Sequence, residues 1–99
     1  MNTHNYKDIF KALGDETRVN VIKILSNENK CACQLLEEFN ISQSTLSHHM
    51  KILTDSGLVH AKKDGKWVYY RINEEMFADL RLFFEPIDAK DVPCIKCEH

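Results

Sequence analysis

The sequence lacks any long hydrophobic stretch. No apolar run approaches the roughly 20 residues that a helix needs to cross a bilayer. The N-terminal segment MNTHNYKD also lacks the hydrophobic region of a secretory signal peptide. We therefore expect a soluble, cytoplasmic protein with no membrane partner. Its 99 residues, 43% of them hydrophobic, are enough for one compact domain and too few for two.

Disulfides are also not expected in this chain. It has four cysteines, which occur as one C-x-C and one C-x-x-C pair, and a reducing compartment keeps such thiols free. Closely spaced free thiols are typical of metal ligands or of reactive cysteines. The cysteines concerned are Cys31, Cys33, Cys94 and Cys97.

Acidic side chains are missing from one face of the helix predicted for residues 42–57. Leu46, Met50 and Leu53 recur at i, i+4 and i+7, which predicts a stripe that packs against a core. The opposite face offers amides, hydroxyls, an imidazole and one cation, and such groups can meet base edges in a major groove. The alternative is an amphipathic helix that has no acids on its outer face by chance. The candidate DNA-contacting residues of this reading helix are Gln43, Ser44, Thr45, Ser47, His48 and Lys51.

Positive charge is concentrated in one part of the chain. Although the net charge is −2, residues 42–72 hold five lysines or arginines against two aspartates. A basic segment on an acidic body favours nucleic-acid binding through one face only.

Three helices are predicted before the reading helix. The first ends at Gly14 and the second, residues 16–26, has apolar residues on more than one face. Polar residues 27–30 predict a turn. A short third helix, residues 32–39, is separated from the reading helix only by residues 40–41, which is typical of a helix-turn-helix.

After the reading helix the hydrophobic period changes to two. Residues 58–63 and 66–72 predict two strands, and the Asp64-Gly65 pair between them predicts a hairpin turn. Lys62, Lys63 and Lys66 crowd the hairpin tip, where they can reach a phosphate backbone. The alternative is that they protect an edge strand from aggregation.

A last helix is predicted from Asn73 to Pro86. It is rich in aromatic residues, as is the first helix, and the excess over one small core favours a homodimer through these two helices. We thus predict a mainly α fold with a small β-hairpin, a winged helix-turn-helix over residues 1–86, followed by a flexible cysteine-containing tail, residues 87–99.

Three stretches resemble the ArsR/SmtB family of metal-responsive repressors. They read FKALGDETRVNVIKIL at residues 10–25, CACQLLEEFNISQSTLSHHMKILTDSGLV at 31–59 and KDGKWVYYRI at 63–72. The resemblance implies a homodimer that binds a palindromic double-stranded operator DNA and releases it when a metal ion binds.

The resemblance also indicates which residues would bind the inducing ion. Family members that sense through the last helix carry Asp and His there, whereas residues 74–85 contain no histidine. The family's thiolate site begins with a C-x-C matched by Cys31 and Cys33, but the third cysteine of some arsenic sensors is replaced by Leu36. Cys94 and Cys97 are then the remaining candidate ligands. Because soft thiolates select soft ions, arsenite is the expected inducer, with antimonite, cadmium, lead or zinc as alternatives.

Three other functions remain open. The same cysteines could form a thiol redox switch, and the winged helix could serve only to bind protein. An enzyme is not expected, because a C-x-x-C in a Pro-containing tail lacks the strand-then-helix setting of a thiol reductase.

The sequence also suggests how an ion would act. Residues two apart on a regular helix point away from each other, so Cys31 and Cys33 cannot share one ion while both are fully helical. Because Cys31 is at or just before the helix start, we expect the first turn of the third helix to distort or unwind when both bind one ion. That change would tilt the reading helix.

Overall fold

The computed structural model describes residues 5–89. Within them the chain forms five helices and three strands. In order these are α1 (Tyr6–Ala12), α2 (Glu16–Leu25), β1 (Lys30–Cys31), α3 (Ala32–Glu38), α4 (Gln43–Asp55), β2 (Val59–Asp64), β3 (Trp67–Ile72) and α5 (Glu74–Phe84). The predicted order of helices and hairpin is confirmed. No helix in this part of the chain is long and apolar enough to cross a bilayer.

Short polar side chains fix where the helices begin. The side chain of Asp15 accepts a hydrogen bond from the Arg18 N–H at 3.2 Å, and Ser42 accepts from the Thr45 N–H at 3.1 Å. Each satisfies a backbone donor that the first helical turn would otherwise leave unpaired. The start of the reading helix, which is α4, is therefore set by its own sequence.

The reading helix is oriented by its apolar stripe. Leu46, Met50 and Leu53 are all at most 3% exposed, and they pack in one core with Val21 of α2 and Leu35 of α3. This burial was predicted and is confirmed. Because one face of α4 is held in the core, the opposite face points away from the protein.

The sheet has one strand more than predicted. Residues 27–30 were predicted as a turn, but Lys30 and Cys31 form β1 and pair antiparallel with Tyr70 and Tyr69 of β3. The strand order is β1-β3-β2, so the hairpin is part of a three-stranded sheet. A two-residue strand is too short to show a period of two in the sequence, which explains the error. The extra strand attaches Cys31 to the wing, which is the hairpin formed by β2 and β3.

Aromatic residues join α1 to α5. The ring of Phe83 lies 4.6 Å from that of Tyr6 and 5.7 Å from that of Phe10, measured between centroids. Several large apolar side chains beside this contact stay exposed. This apolar face consists of Phe10, Leu82, Phe83, Phe84 and Ile87.

Candidate DNA-binding surface and thiol pair

All six predicted DNA-contacting residues of the reading helix are exposed. Two of the hydroxyls already take part in the helix cap, since Ser42 Oγ donates to Thr45 Oγ1 at 2.9 Å and lies 3.2 Å from Ser44 Oγ. Lys51 pairs with Asp55 at 3.2 Å on the surface, and an exposed pair of this kind is weak enough to exchange for a phosphate. Ser47 and His48 take no part in this cap or in this ion pair.

An arginine ties the reading helix to the helices before it. Arg18 donates from Nε to the carbonyl of Ala12 at 2.6 Å and from Nη1 to Nδ1 of His49 at 2.9 Å. A guanidinium only donates hydrogen bonds, so Nδ1 of His49 is the acceptor of this one. Burial acts to raise the pKa of nearby Asp15, but the backbone N–H and the charge of Arg18 outweigh it and lower that pKa. Sequence reasoning missed this contact because its partners are far apart in the chain.

The wing presents its lysines as predicted. Lys62, Lys63 and Lys66 are exposed, and the turn between the strands uses Gly65 at a φ of 64°. Lys66 Nζ lies 5.4 Å from the ring centroid of Trp67, whose side chain is 44% exposed. Sequence reasoning did not single out Trp67. The sequence feature that could have identified it is an aromatic residue directly after the hairpin turn, at a position that does not contribute to the core.

The two cysteines of the C-x-C motif lie side by side. Cys31 is the N-cap of α3 with extended backbone angles (φ −83°, ψ 164°), and its Sγ lies 2.8 Å from Sγ of Cys33. The prediction that Cys31 lies at or just before the start of the third helix is confirmed, and the two sulfurs are adjacent because Cys31 is not in the helix. The expected distortion of the first turn on ion binding stays a prediction. Gln34 holds this geometry by accepting from the Cys31 N–H at 3.0 Å.

The contact between the two thiols shifts their pKa values in opposite directions. A hydrogen bond from Cys33 lowers the pKa of Cys31, and the backbone N–H groups at the start of α3 act in the same direction. The same bond raises the pKa of Cys33, and burial adds to the increase. Cys31 is therefore the thiol that ionises first, and thiolates are the form that binds metals.

The thiol pair can supply two ligands to one ion. Two sulfurs that are each about 2.3 Å from a tetrahedral ion lie roughly 3.8 Å apart, so the pair, now 2.8 Å apart, has to open by about 1 Å to hold one ion. Residues 5–89 contain no group of three or more Cys, His, Asp or Glu side chains that could hold a metal. The other two predicted ligands, Cys94 and Cys97, lie outside the described residues, as does most of the predicted flexible tail.

A helix-turn-helix with an exposed polar reading face, followed by a basic hairpin, defines a winged helix-turn-helix DNA-binding domain. The family model described as "Bacterial regulatory protein, arsR family" matches residues 15–61. The chain is 39% identical over 94 residues to an arsenical resistance operon repressor of Staphylococcus aureus, covering 92% of this chain and 90% of that protein. The corresponding repressor of Staphylococcus xylosus is 40% identical over 93 residues, covering 91% of this chain and 89% of that protein. The chain belongs to the arsR family of bacterial regulatory proteins.

Two solved structures and one further relative extend the comparison. A possible transcriptional regulator for arsenical resistance superposes with a TM-score of 0.74 at 30% identity, over 85% of this chain and 88% of that one. A homodimeric winged helix-turn-helix domain from Mycobacterium bovis has a TM-score of 0.69 at 24% identity, covering 83% of this chain and 76% of that one. This similarity supports the fold alone. A cadmium resistance regulatory protein homologue of Staphylococcus aureus is 37% identical over 75% of this chain and 62% of that protein.

Proposed function

We propose that this protein is a cytoplasmic, homodimeric repressor that leaves a palindromic operator when arsenite binds its cysteines. The observation that carries the proposal is the 2.8 Å approach of the Cys31 and Cys33 sulfurs at the edge of the wing sheet. The names of its arsenical resistance relatives support arsenite as the inducer. Trivalent arsenic is satisfied by roughly three thiolates, and Cys94 and Cys97 are the proposed source of the remaining sulfur.

The apolar face supports the homodimer. Leu82 is 64% and Phe84 50% exposed, close to the aromatic contact between α1 and α5. A contiguous apolar patch of this kind is typical of an interface, and a twofold axis through it pairs the same patch with itself. Such a dimer would present two reading helices to half-sites about one DNA turn apart.

The position of Cys31 suggests how the signal reaches the DNA-binding surface. Its backbone pairs with Tyr69 of β3, and β3 pairs along its length with β2, which carries Lys62 and Lys63. An ion that draws the two sulfurs toward a third ligand pulls on the edge strand of the wing and on the first turn of α3 together. The first turn of α3 borders the same cleft as Leu46 and Ser47 of the reading helix, so a distortion of that turn would reach the DNA-binding surface.

The wing lysines are expected to control the salt dependence of DNA binding. Each lysine that neutralises a phosphate adds about −0.9 to the slope of log affinity against log salt. The triple variant Lys62→Ala, Lys63→Ala, Lys66→Ala should therefore bind all duplexes more weakly and, because the dimer has two wings, lose up to about six such contributions. Fluorescence anisotropy at several salt concentrations measures this slope.

A matched variant separates contact from net charge. Lys7, Lys11 and Lys23 lie on α1 and α2, and all three are exposed. Their joint replacement by Ala removes the same charge but should leave the slope nearly unchanged. If both triple variants change the slope equally, the wing does not contact the phosphates.

Ser47 is expected to discriminate the operator from other DNA. A lost base contact costs about 1–3 kcal/mol, whereas the exposed position on α4 tolerates Ala well because Ala favours helix. Because the dimer contains Ser47 twice, Ser47→Ala should reduce operator affinity about 30-fold or more and leave non-specific binding intact. Ser26→Ala, on the surface after α2, is the control. Equal losses on operator and random duplexes would remove Ser47 from the base contacts.

A thiol redox switch is the second candidate, because the same sulfur contact favours it. A two-electron oxidant such as hydrogen peroxide would join Cys31 and Cys33 in a disulfide and be reduced to water, with the thiol protons taken up in the product. Release of DNA by peroxide, with no release by arsenite under reducing conditions, would favour this function over metal sensing.

A further inference from the structure

Arg18 lies where α1, α2 and the reading helix meet. Its side chain is partly buried, and its guanidinium donates hydrogen bonds in two directions. On one side Nε donates to the carbonyl of Ala12 at 2.6 Å, and on the other Nη1 donates to Nδ1 of His49 at 2.9 Å. Ala12 is the last residue of α1, and His49 lies in the middle of α4. One side chain therefore joins the end of α1 to the reading helix.

Apolar packing does not fill the space between these two helices. A cleft of about 280 Å³ lies there, and its lining includes Lys11 of α1 and Ile52 and Asp55 of the reading helix. The core holds α4 by its buried stripe, but the burial of apolar surface is not directional. A hydrogen bond has a preferred distance and angle, so it restricts how far a helix can rotate or slide on the core. The bond between Arg18 and His49 is a restraint of this kind.

We propose that Arg18 and His49 are positioning residues that set the spacing between the two DNA half-sites that this protein recognises. The inference rests on the proposed function, since it requires a homodimer on a palindromic operator. α1 contributes Phe10 to the apolar face, through which the dimer is proposed to form. The bonds of Arg18 thus connect the dimer interface with the reading helix. In a twofold dimer this connection occurs twice, and the two copies together fix the distance and angle between the reading helices.

Neither residue has to contact the DNA for this effect. His49 lies beside the buried stripe of α4, and its side chain is only 14% exposed. The two reading helices must meet both half-sites at once. One base pair inserted between the half-sites moves one of them by about 3.4 Å and rotates it by about 35° around the duplex axis. A dimer with firmly held reading helices should reject that duplex, whereas loosely held helices should adapt to it.

The two-sided contact requires an arginine at position 18. A guanidinium carries five N–H donors in a rigid planar fork, whereas lysine has a compact ammonium on a flexible stem. Arg18 also donates from Nη2 to the carbonyl of Lys11 at 3.4 Å, so the fork reaches two carbonyls in the last turn of α1. The last carbonyls of a helix have no N–H of a following turn to bind, which leaves them free to accept from a side chain. A lysine can bind α1 or His49, but it cannot hold both in a fixed geometry.

The test measures binding of the full-length reduced protein, without inducer, to three labelled duplexes by anisotropy. The first is a palindromic duplex selected from random sequences, the second has one base pair inserted between its half-sites, and the third has a single half-site. Wild type should bind the first duplex at least about tenfold more tightly than the second, which corresponds to about 1.4 kcal/mol. Arg18→Lys keeps the charge and should remove most of this preference. Its affinity for the single half-site should be nearly unchanged, because the reading face is intact.

Two variants of His49 test the other end of the bond. His49→Leu removes the acceptor and should lose the spacing preference as Arg18→Lys does. His49→Asn places a side-chain oxygen near the position of Nδ1, at a similar helix propensity, and should keep most of the preference. A variant that is only partly folded would lower all three affinities by the same factor and leave their ratios unchanged. The spacing preference therefore separates positioning from a loss of stability.

The inference is overturned if either Arg18→Lys or His49→Leu keeps the wild-type preference for the uninterrupted duplex. That result would leave the proposed function intact, provided that wild type has the preference and releases the duplex with arsenite. If wild type itself binds the first two duplexes equally, the proposed dimeric binding to a palindromic operator fails, and this inference fails with it.

Discussion

Phe84→Glu is expected to convert the protein into a monomer that no longer holds its operator. Phe84 is half exposed on the apolar face, so the monomer loses little when it is replaced. In the dimer the carboxylate would be buried without a partner, and truncation of a hot-spot residue at the centre of an interface costs about 2–4 kcal/mol. Because a twofold interface contains residue 84 of both subunits, this cost counts twice. We expect the dimer dissociation constant to rise by about 10³ or more, measured by sedimentation equilibrium.

The same variant should lose operator affinity by a similar factor, because a single reading helix contacts only one half-site. Phe84→Leu is the matched control and should stay dimeric, since it keeps an apolar side chain at the same position. Circular dichroism shows whether the Glu variant is folded. A folded Phe84→Glu protein that remains dimeric and binds operator normally would place the interface elsewhere.

Cys31→Ser is expected to leave operator binding intact and to abolish release by arsenite. Serine is nearly the same size as cysteine and is a preferred N-cap residue, so α3 should begin as well as before. A hydroxyl is a poor ligand for a soft ion, and only Cys33 would remain of the pair. The arsenite concentration needed for half-release should rise about 100-fold or more. Anisotropy of a labelled operator duplex measures both quantities in one titration.

The other cysteines provide graded comparisons for this prediction. Cys33→Ser removes the second sulfur of the pair and should match Cys31→Ser. The double variant Cys94→Ser, Cys97→Ser should shift the arsenite concentration less, because the thiol pair is retained. Release of the Cys31→Ser protein at the wild-type concentration of arsenite would mean that the sensing site lies elsewhere.

The sequence was most informative where helix periodicity and chemistry agree. Leu46, Met50 and Leu53 predicted which face of α4 is buried, and burial of all three confirms it. Because this stripe fixes the helix rotation, exposure of Ser47 and His48 followed as well. The hairpin was equally clear, since Asp64-Gly65 separates two strands of period two.

The sequence was least informative about contacts made by very short or distant segments. Lys30 and Cys31 form a strand because they pair with the edge of β3. Two residues are too few to show the periodicity of a strand in the sequence. The presence of this strand leaves Cys31 with extended backbone angles, and the two sulfurs lie adjacent as a result. The pairing of Arg18 with His49 likewise depends on how α2 packs against α4. Tertiary packing decides each of these contacts, and local propensity does not.

The most direct test of metal sensing is an inducer panel on the wild-type protein. A labelled palindromic duplex, selected from random sequences for binding, is held in complex under a reductant that contains no thiol. Arsenite, antimonite, cadmium, lead and zinc are then titrated separately while anisotropy is recorded. We expect release by arsenite at the lowest concentration, with about one arsenite bound per thiol pair. A complex that survives every ion of the panel and is released only by an oxidant would contradict it.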